Sequence, residues 1–511
     1  MEGISRKIYL EMEKPTEADA RSGQERILDA LRGVGIEACM TIGALREIYP
    51  LCDDAQWNVT ASLAWDGNRW HCVRLEAGNT EAEHYGLAVD LGSTSVVMQL
   101  VDCSRGTVLC QESVYNHQIA YGEDILNRIF YSRDDAAHLE ELRRATVETF
   151  LDCMEQIRRS SGKDPASCIS MCVAGNTTMI HFLLGMDAFC VFSSPYAVHA
   201  DQPGFLAARD LELPLCGYVF CYPGKANYLG GDIISGMVAT GMYRRSDISL
   251  FFDVGTNGEL VVGNRDFLLC GAGAAGPALE GGVVKTGMRA ARGAVEHVRL
   301  LPQGESFALD VIGGGAAKGI CGSGIVDLLS ELFLNGWVDL RGQLQPECSP
   351  LIGWREEAGE YAVCYAPGLW FYQSDINEFL RTKAAAATMM EYLLQEAGME
   401  LSDVHDFYMA GAFGTHICKE AAVNIGMYPD VEPERIHTAG NSSLDGARML
   451  LLDRTIPEEL TEILSLMSYV QFGAVEDFLT RMVAASALPH TDLERYPNVM
   501  RRLEAHRSMH V

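Results

Sequence analysis

This chain contains one hairpin pattern twice, and that repetition limits what it can fold into. Gly86 to Val101 reads as an apolar strand, the turn Asp90-Leu91-Gly92-Ser93-Thr94, and a second apolar strand. Leu250 to Val262 repeats the scheme around Asp253-Val254-Gly255-Thr256-Asn257, a domain's length further along. One Asp-x-Gly-Thr turn says little, because Asp and Gly are common turn residues. Two of them, each between apolar strands, argue for two related halves. In each copy the acidic residue leaves a hydrophobic strand and the glycine allows a tight turn. Turn N–H groups and hydroxyls can then face phosphate oxygens, while the carboxylate holds Mg²⁺ through water. Asp90 and Asp253 are therefore the candidates for Mg²⁺ and water positioning. Gly92, Ser93, Thr94, Gly255, Thr256 and Asn257 are the phosphate-contact candidates. The plain alternative is a pair of solvated β-turns.

Around these turns the pattern is α/β. Residues 1–84 read as a small α+β module. Lys7–Glu11 alternates like a strand, Thr16–Gly33 reads as a polar-faced helix, and Trp57–Leu75 reads as a β-hairpin about Asp66-Gly67-Asn68. From Tyr85 short apolar strands alternate with helical segments such as Ala136–Ser160 and Ile376–Gly398. Helix-like patterning returns from about Pro457. Asp232 follows two glycines and precedes an apolar helix; it reads equally as an N-cap or as a group orienting attacking water.

Charge narrows the partners. The 511 residues hold 69 Asp and Glu against 40 Lys and Arg, a net charge of −29. Such a surface repels phosphate backbones and anionic lipid, which argues against nucleic acid and membrane. A single nucleotide is still admissible, since its pocket needs only local N–H donors and Mg²⁺. Among 16 cysteines no two are separated by only two residues, which removes zinc-ribbon, thioredoxin-like and ferredoxin-type spacings. They read as small buried hydrophobes of a reducing cytosol. No signal peptide opens the chain and no run of about 18 apolar residues occurs, so a cytoplasmic location is expected.

The two turns resemble the phosphate loops of the actin, sugar kinase and Hsp70 (ASKHA) superfamily. Ala410-Gly411-Ala412-Phe413-Gly414, after the strand-like Phe407-Tyr408-Met409, resembles its adenosine loop. Gly175 and Asn176 within Ala174–Thr178, and Gly322 and Gly324 within Ile320–Asp327, resemble its connecting elements. Longer segments narrow the likeness. Asn116–Ile125, Gly230–Ile233, Gly271–Gly282, Gly287–Ala291 and Gly426–Pro429 are similar to the reductive activators of corrinoid proteins. The similarity runs over roughly 86–470, and Lys7–Glu11 resembles the linker that follows that family's electron-carrying domain.

The resemblance implies a two-lobed actin-like (ribonuclease H-like) ATPase core with a small N-terminal α+β module. The implied divisions are 1–84, 85–248 with the first phosphate loop, 249–470 with the second phosphate loop and the adenosine loop, and a helical extension over 471–511. ATP and Mg²⁺ are the implied cofactors, Asp90, Asp253 and Asp232 the implied catalytic groups. The implied activity is ATP-dependent return of a partner's cob(II)alamin to cob(I)alamin, the partner being the corrinoid protein of a methyltransferase system. Family members also carry a 2Fe–2S module or ferredoxin-like clusters. The cysteine spacings here match neither, so no iron–sulfur cluster is expected, and a separate ferredoxin or flavodoxin is expected to supply the electron. The resemblance leaves a homodimer open, and with it a cluster shared between subunits, for which Cys321 is a candidate ligand. A small-molecule kinase of the same superfamily and a non-catalytic nucleotide-dependent scaffold are the alternative functions.

Two further motifs have plainer readings. Gly271 to Gly276 fits Gly-x-Gly-x-x-Gly, but Gly281, Gly282 and Gly287 interrupt the helix that a dinucleotide fold needs; the stretch reads as a loop packed near the nucleotide domain. His181, between Ile180 and Phe182, reads as a packed core histidine.

Overall fold

Alternating apolar residues on either side of Gly92 and of Gly255 fold as antiparallel strand pairs, and each pair anchors one sheet. The computed structural model describes residues 2–254, 257–274, 284–302, 304–411, 416–472 and 478–509. The chain divides into two compact units, Met1–Gly241 with Ser442–Ser465, and Met242–Asn441 with Leu466–Val511.

The first unit opens with the α+β module. Its strands β1 (Ser5–Glu11), β2 (Ala38–Met40), β3 (Asn58–Trp65) and β4 (Trp70–Ala77) lie in the order β1-β3-β4-β2. The expected hairpin is β3–β4. The helix begins at Gly23 and not at Thr16. The Ser22 hydroxyl accepts from Glu25 N and so caps it, while Thr16 and Asp19 pair with each other in a short bridge. Residues 16–22 lack the apolar period that would hold a helical face against the sheet.

A six-stranded sheet follows: β5 (Tyr85–Leu91), β6 (Ser95–Asp102), β7 (Thr107–Tyr115), β8 (Ser170–Gly175), β9 (Gly204–Ala207) and β10 (Tyr218–Cys221), ordered β7-β6-β5-β8-β10-β9. β5 is antiparallel to β6 and parallel to β8, with Asp90 opposite Ala174 and Leu91 opposite Gly175. The Ala136–Ser161 helix sets Phe150, Cys153 and Ile157 into the core of this sheet. His181 is buried there, its ring Nδ1 2.7 Å from the Thr177 carbonyl. The Ser442–Leu452 helix belongs to this unit by packing. It lies so close to the Gly231–Thr240 helix that a Cβ on Gly446 would sit 2.2 Å from the Ser235 carbonyl oxygen. Gly446→Ala must push two helix backbones apart, so thermal unfolding should show a loss of about 2 kcal/mol.

The second unit is built on the other hairpin, β11 (Ser249–Val254) with β12 (Asn257–Gly263), extended by β13 (Leu268–Ala274). Two small sheets follow, β15-β14-β16 from β14 (Ala294–Leu300), β15 (Phe307–Val311) and β16 (Gly319–Ile320), and β17-β18-β19 from β17 (Ile352–Arg355), β18 (Glu360–Ala366) and β19 (Leu369–Tyr372). β20 (Asp406–Ala410), β21 (Ile436–Gly440) and β22 (Met467–Val470) complete the main sheet in the order β21-β20-β11-β12-β13-β22. Helices Gly322–Leu334 and Gln373–Glu396 fill its core with Ile325, Leu329, Phe379 and Leu393. Gly271 and Gly273 prove to be strand residues of β13, not a loop. A Cβ on Gly271 would meet Phe472 at 2.3 Å, and one on Gly273 would meet Met389 Sδ at 2.4 Å. Their spacing of two is the strand period on one face, and it makes room for those two side chains. Among the described residues no helix is long and apolar enough to cross a membrane.

Candidate functional site

In the first unit the sheet brings several of the candidate residues together. Asp90 sits one residue before the end of β5, and Ser443 Oγ donates to its Oδ1 at 2.8 Å. Ser443 lies in the Ser442–Leu452 helix, whose backbone is tied to the Gly231–Thr240 helix by Ser235 Oγ donating to the Ser443 carbonyl at 2.6 Å. That second helix starts at Gly231, with Gly230 as its N-cap. Asp232 is therefore not the N-cap residue. Its Oδ1 instead accepts from Ile233 N at 2.9 Å. Desolvation pushes the Asp232 carboxyl up from its ordinary value, against the pull of the Ile233 N–H, and the charge of Asp90 adds to the rise. Two carboxylates brought near each other in a desolvated site resist ionising together, and a hydrated divalent cation would relieve that repulsion. The donor set fits Mg²⁺ chemistry.

Gly175 and Asn176 join this group from the end of β8. A Cβ on Gly230 would lie 2.5 Å from Asn176 Cα, and one on Gly175 would lie 2.8 Å from the Leu91 carbonyl oxygen. Asn176 Oδ1 accepts from Met179 N at 3.0 Å and caps the helix Thr177–Leu183. The glycines let three chain segments converge where side chains would not fit.

The turn itself is held from behind. Gly92 carries no Cβ because one would lie 2.5 Å from the Ser95 carbonyl oxygen. The Gly92 carbonyl accepts from Asn116 Nδ2 at 2.9 Å, the Ser93 carbonyl from an Arg128 Nη at 2.6 Å, and the Thr94 carbonyl from Asn116 N at 3.0 Å. In a trans peptide the next N–H points opposite to the carbonyl. The Ser93 and Thr94 N–H groups are therefore turned away from these partners, as an anion cradle requires. Neither Asn116 nor Arg128 stood out in the sequence as a candidate.

In the second unit Asp253 occupies the matching place. It is paired with Glu259 across the β11–β12 hairpin and with Ala410 of β20 in parallel. Gly411 follows that strand with φ +86°, a backbone region that favours glycine. Gly322 and Gly324 open the Gly322–Leu334 helix, where a Cβ on Gly324 would lie 2.5 Å from the Val295 carbonyl oxygen. Cys321 is buried, its Sγ 3.3 Å from that same carbonyl, so burial removes it from surface chemistry. Asn257 pairs through its backbone with Ala274 of β13. Gly255, Thr256, Ala412, Phe413 and Gly414 lie outside the described residues.

Comparison with known proteins gives this arrangement its context. Three family models cover almost the whole chain. They are the RACo linker region over residues 1–82, the RACo middle region over 85–245, and the C-terminal (ASKHA) domain of RACo over 247–500. The chain is 31% identical over 396 residues to the corrinoid activation enzyme RamQ of Eubacterium limosum, a match covering 74% of this chain and 66% of that protein. It thus spans about two thirds of the length of that relative. It is 24% identical over 409 residues to a Co(II) methylated amine-specific corrinoid protein reductase of Methanosarcina barkeri, covering 74% and 72%. Among solved structures, a reductive activator for corrinoid, iron–sulfur protein matches with a TM-score of 0.89 and 32% identity over 97% of this chain and 81% of that one. With its α/β architecture and its ASKHA domain, this chain belongs to the RACo family of corrinoid-protein activators.

Proposed function

We propose that this chain is an ATP-driven reductive activator of a corrinoid protein, the partner carrying cobalamin for a methyltransferase. The reading is supported by family membership together with the duplicated acidic hairpins. In each net reaction ATP and water give ADP and phosphate, while one electron from a separate low-potential ferredoxin or flavodoxin takes the partner's cob(II)alamin to cob(I)alamin. The electron is assigned to a separate donor because the cysteine spacings of this sequence offer no cluster-binding set. Nucleotide binding and hydrolysis couple to reduction only through different affinities for two states of the complex. Mg²⁺ would supply charge neutralisation at the phosphates. In the first unit Asp90 would hold it through water, Ser93 and Thr94 would offer N–H groups to phosphate, and Asp232 would orient water; Asp253 is the corresponding candidate of the second unit.

The single observation that carries the nucleotide part is the Asp90 group: a strand-end carboxylate, a second one beside it, and a turn whose Gly92, Ser93 and Thr94 carbonyls are engaged behind it. Calorimetric titration tests it. ATP binding should weaken by about tenfold or more when EDTA removes Mg²⁺, with adenosine binding unchanged. ATP binding that is indifferent to EDTA would remove the assigned roles of Asp90 and Asp253.

A further inference from the structure

Arg128 is fully buried and, among the described residues, meets no carboxylate. Its Nε donates to the Gly122 carbonyl at 2.8 Å, and one Nη donates to the Ser93 carbonyl at 2.6 Å and to Gln118 Oε1 at 3.4 Å. Its other Nη has no hydrogen-bond partner among them. The acidic group that acts on it is Asp124, and Asp124 is committed to capping its own helix, accepting from the backbone and side chain of Asn127 at 2.8 Å. Burial pushes the guanidinium down to about 10, which leaves it charged at neutral pH. A buried charge without a counter-ion is costly, and guanidiniums of this kind ordinarily pair with carboxylate or phosphate. Here every acceptor is neutral, and one of them is the backbone of the candidate phosphate turn.

We propose that Arg128 is a positioning residue whose counter-charge is the bound polyphosphate: it fixes the Ser93 carbonyl inward, turns the Thr94 N–H outward, and adds a buried positive charge behind the turn. This inference rests on the nucleotide reading above. Asn116 works beside it, since both side chains also contact Met179 Sδ, at 3.6 and 3.8 Å. An Arg that merely braced the fold would show in the thermal unfolding of Arg128→Met and leave the ATP affinity of the folded protein intact. An Arg that serves the phosphates separates ATP from adenosine.

The test is titration of the full chain with Mg·ATP and with adenosine, for the wild type, Arg128→Met and Arg128→Lys. Arg128→Met should weaken ATP by about 10- to 100-fold and adenosine by less than about twofold, and Arg128→Lys should recover most of the loss. Equal losses for the two ligands, or ATP affinity within about threefold of wild type in Arg128→Met, would overturn the assignment. Should Arg128→Met not fold, Arg128→Lys carries the test. Arg128→Lys keeps the positive charge, so it should bind ATP within about threefold of wild type, and a loss of about tenfold or more in a folded Arg128→Lys protein would overturn the proposal. No saturable ATP binding by the wild type removes the nucleotide reading together with this one. Retained wild-type binding with an insensitive Arg128→Met removes this one alone.

Discussion

Asp90→Asn should leave a folded protein whose partner-stimulated ATP turnover falls by about two to three orders of magnitude. Asparagine keeps the Oδ1 that accepts from Ser443 Oγ, so the tie between β5 and the Ser442–Leu452 helix survives. What disappears is the negative charge. Without it the proposed site would hold a divalent cation less tightly and place water less well, which would fall on turnover more than on ATP affinity. The fold should gain, because one of two neighbouring acidic groups in a desolvated place has been neutralised. Phosphate release and thermal unfolding measured on one preparation check both halves. Turnover within about fivefold of wild type in a folded Asp90→Asn protein would show that the metal is held elsewhere.

Lys383 carries the largest expected effect on stability. It is buried in the Gln373–Glu396 helix, and its ammonium donates to the carbonyls of Ala485 at 2.7 Å, Ala487 at 2.5 Å and Pro489. One side chain thus fastens the segment after the Phe478–Ala485 helix to the second unit. Lys383→Met keeps the bulk and removes every donor. Three buried carbonyls left without a partner should cost about 3 kcal/mol, lowering the melting temperature by about 10 °C. Proteolysis should increase first around residues 485–489. The effect also has a pH signature. Burial pushes the Lys383 amine down to about 7, with Glu391 pulling the other way, whereas in the unfolded chain it titrates near about 10.4. Between those values the unfolded state binds more protons, so wild-type stability rises with pH from about 7 to about 10 through this group and is flat below. Denaturant unfolding at pH 7 and pH 9.5 should show a gap between wild type and Lys383→Met that widens with pH. A gap that narrows would contradict the buried, desolvated amine.

The hairpins at Asp90 and Asp253 were legible because apolar alternation broken by Asp and Gly has one simple folded form. The long helix at Ala136–Ser161 was legible for the same reason, its apolar period running unbroken. Periodicity names a buried face, however, and not the surface that covers it. Nothing in Ser442–Leu452 announces that it returns to the first unit and sets Ser443 on Asp90. β22 is four residues within a helix-like region, and its partner β13 is far away in sequence. Gly271 and Gly273 imitate a ligand loop because close side-chain packing and phosphate binding both call for glycine. Arg128 was invisible since an arginine in a polar helix of ten residues reads as solvated. The Gly122 and Ser93 carbonyls and Gln118 Oε1, brought there by the fold, turn it inward.

Nucleotide-driven reduction of a partner's cobalt is the step on which the proposed function depends. It is tested most directly by the absorption spectrum of a cob(II)alamin-loaded corrinoid protein mixed with this chain, a reduced low-potential ferredoxin or flavodoxin, and Mg·ATP. Conversion to cob(I)alamin should require ATP, and it should be lost with Asp90→Asn and when the donor is left out. Conversion that proceeds equally without ATP, or none with any corrinoid partner while ATP is still hydrolysed, would contradict it.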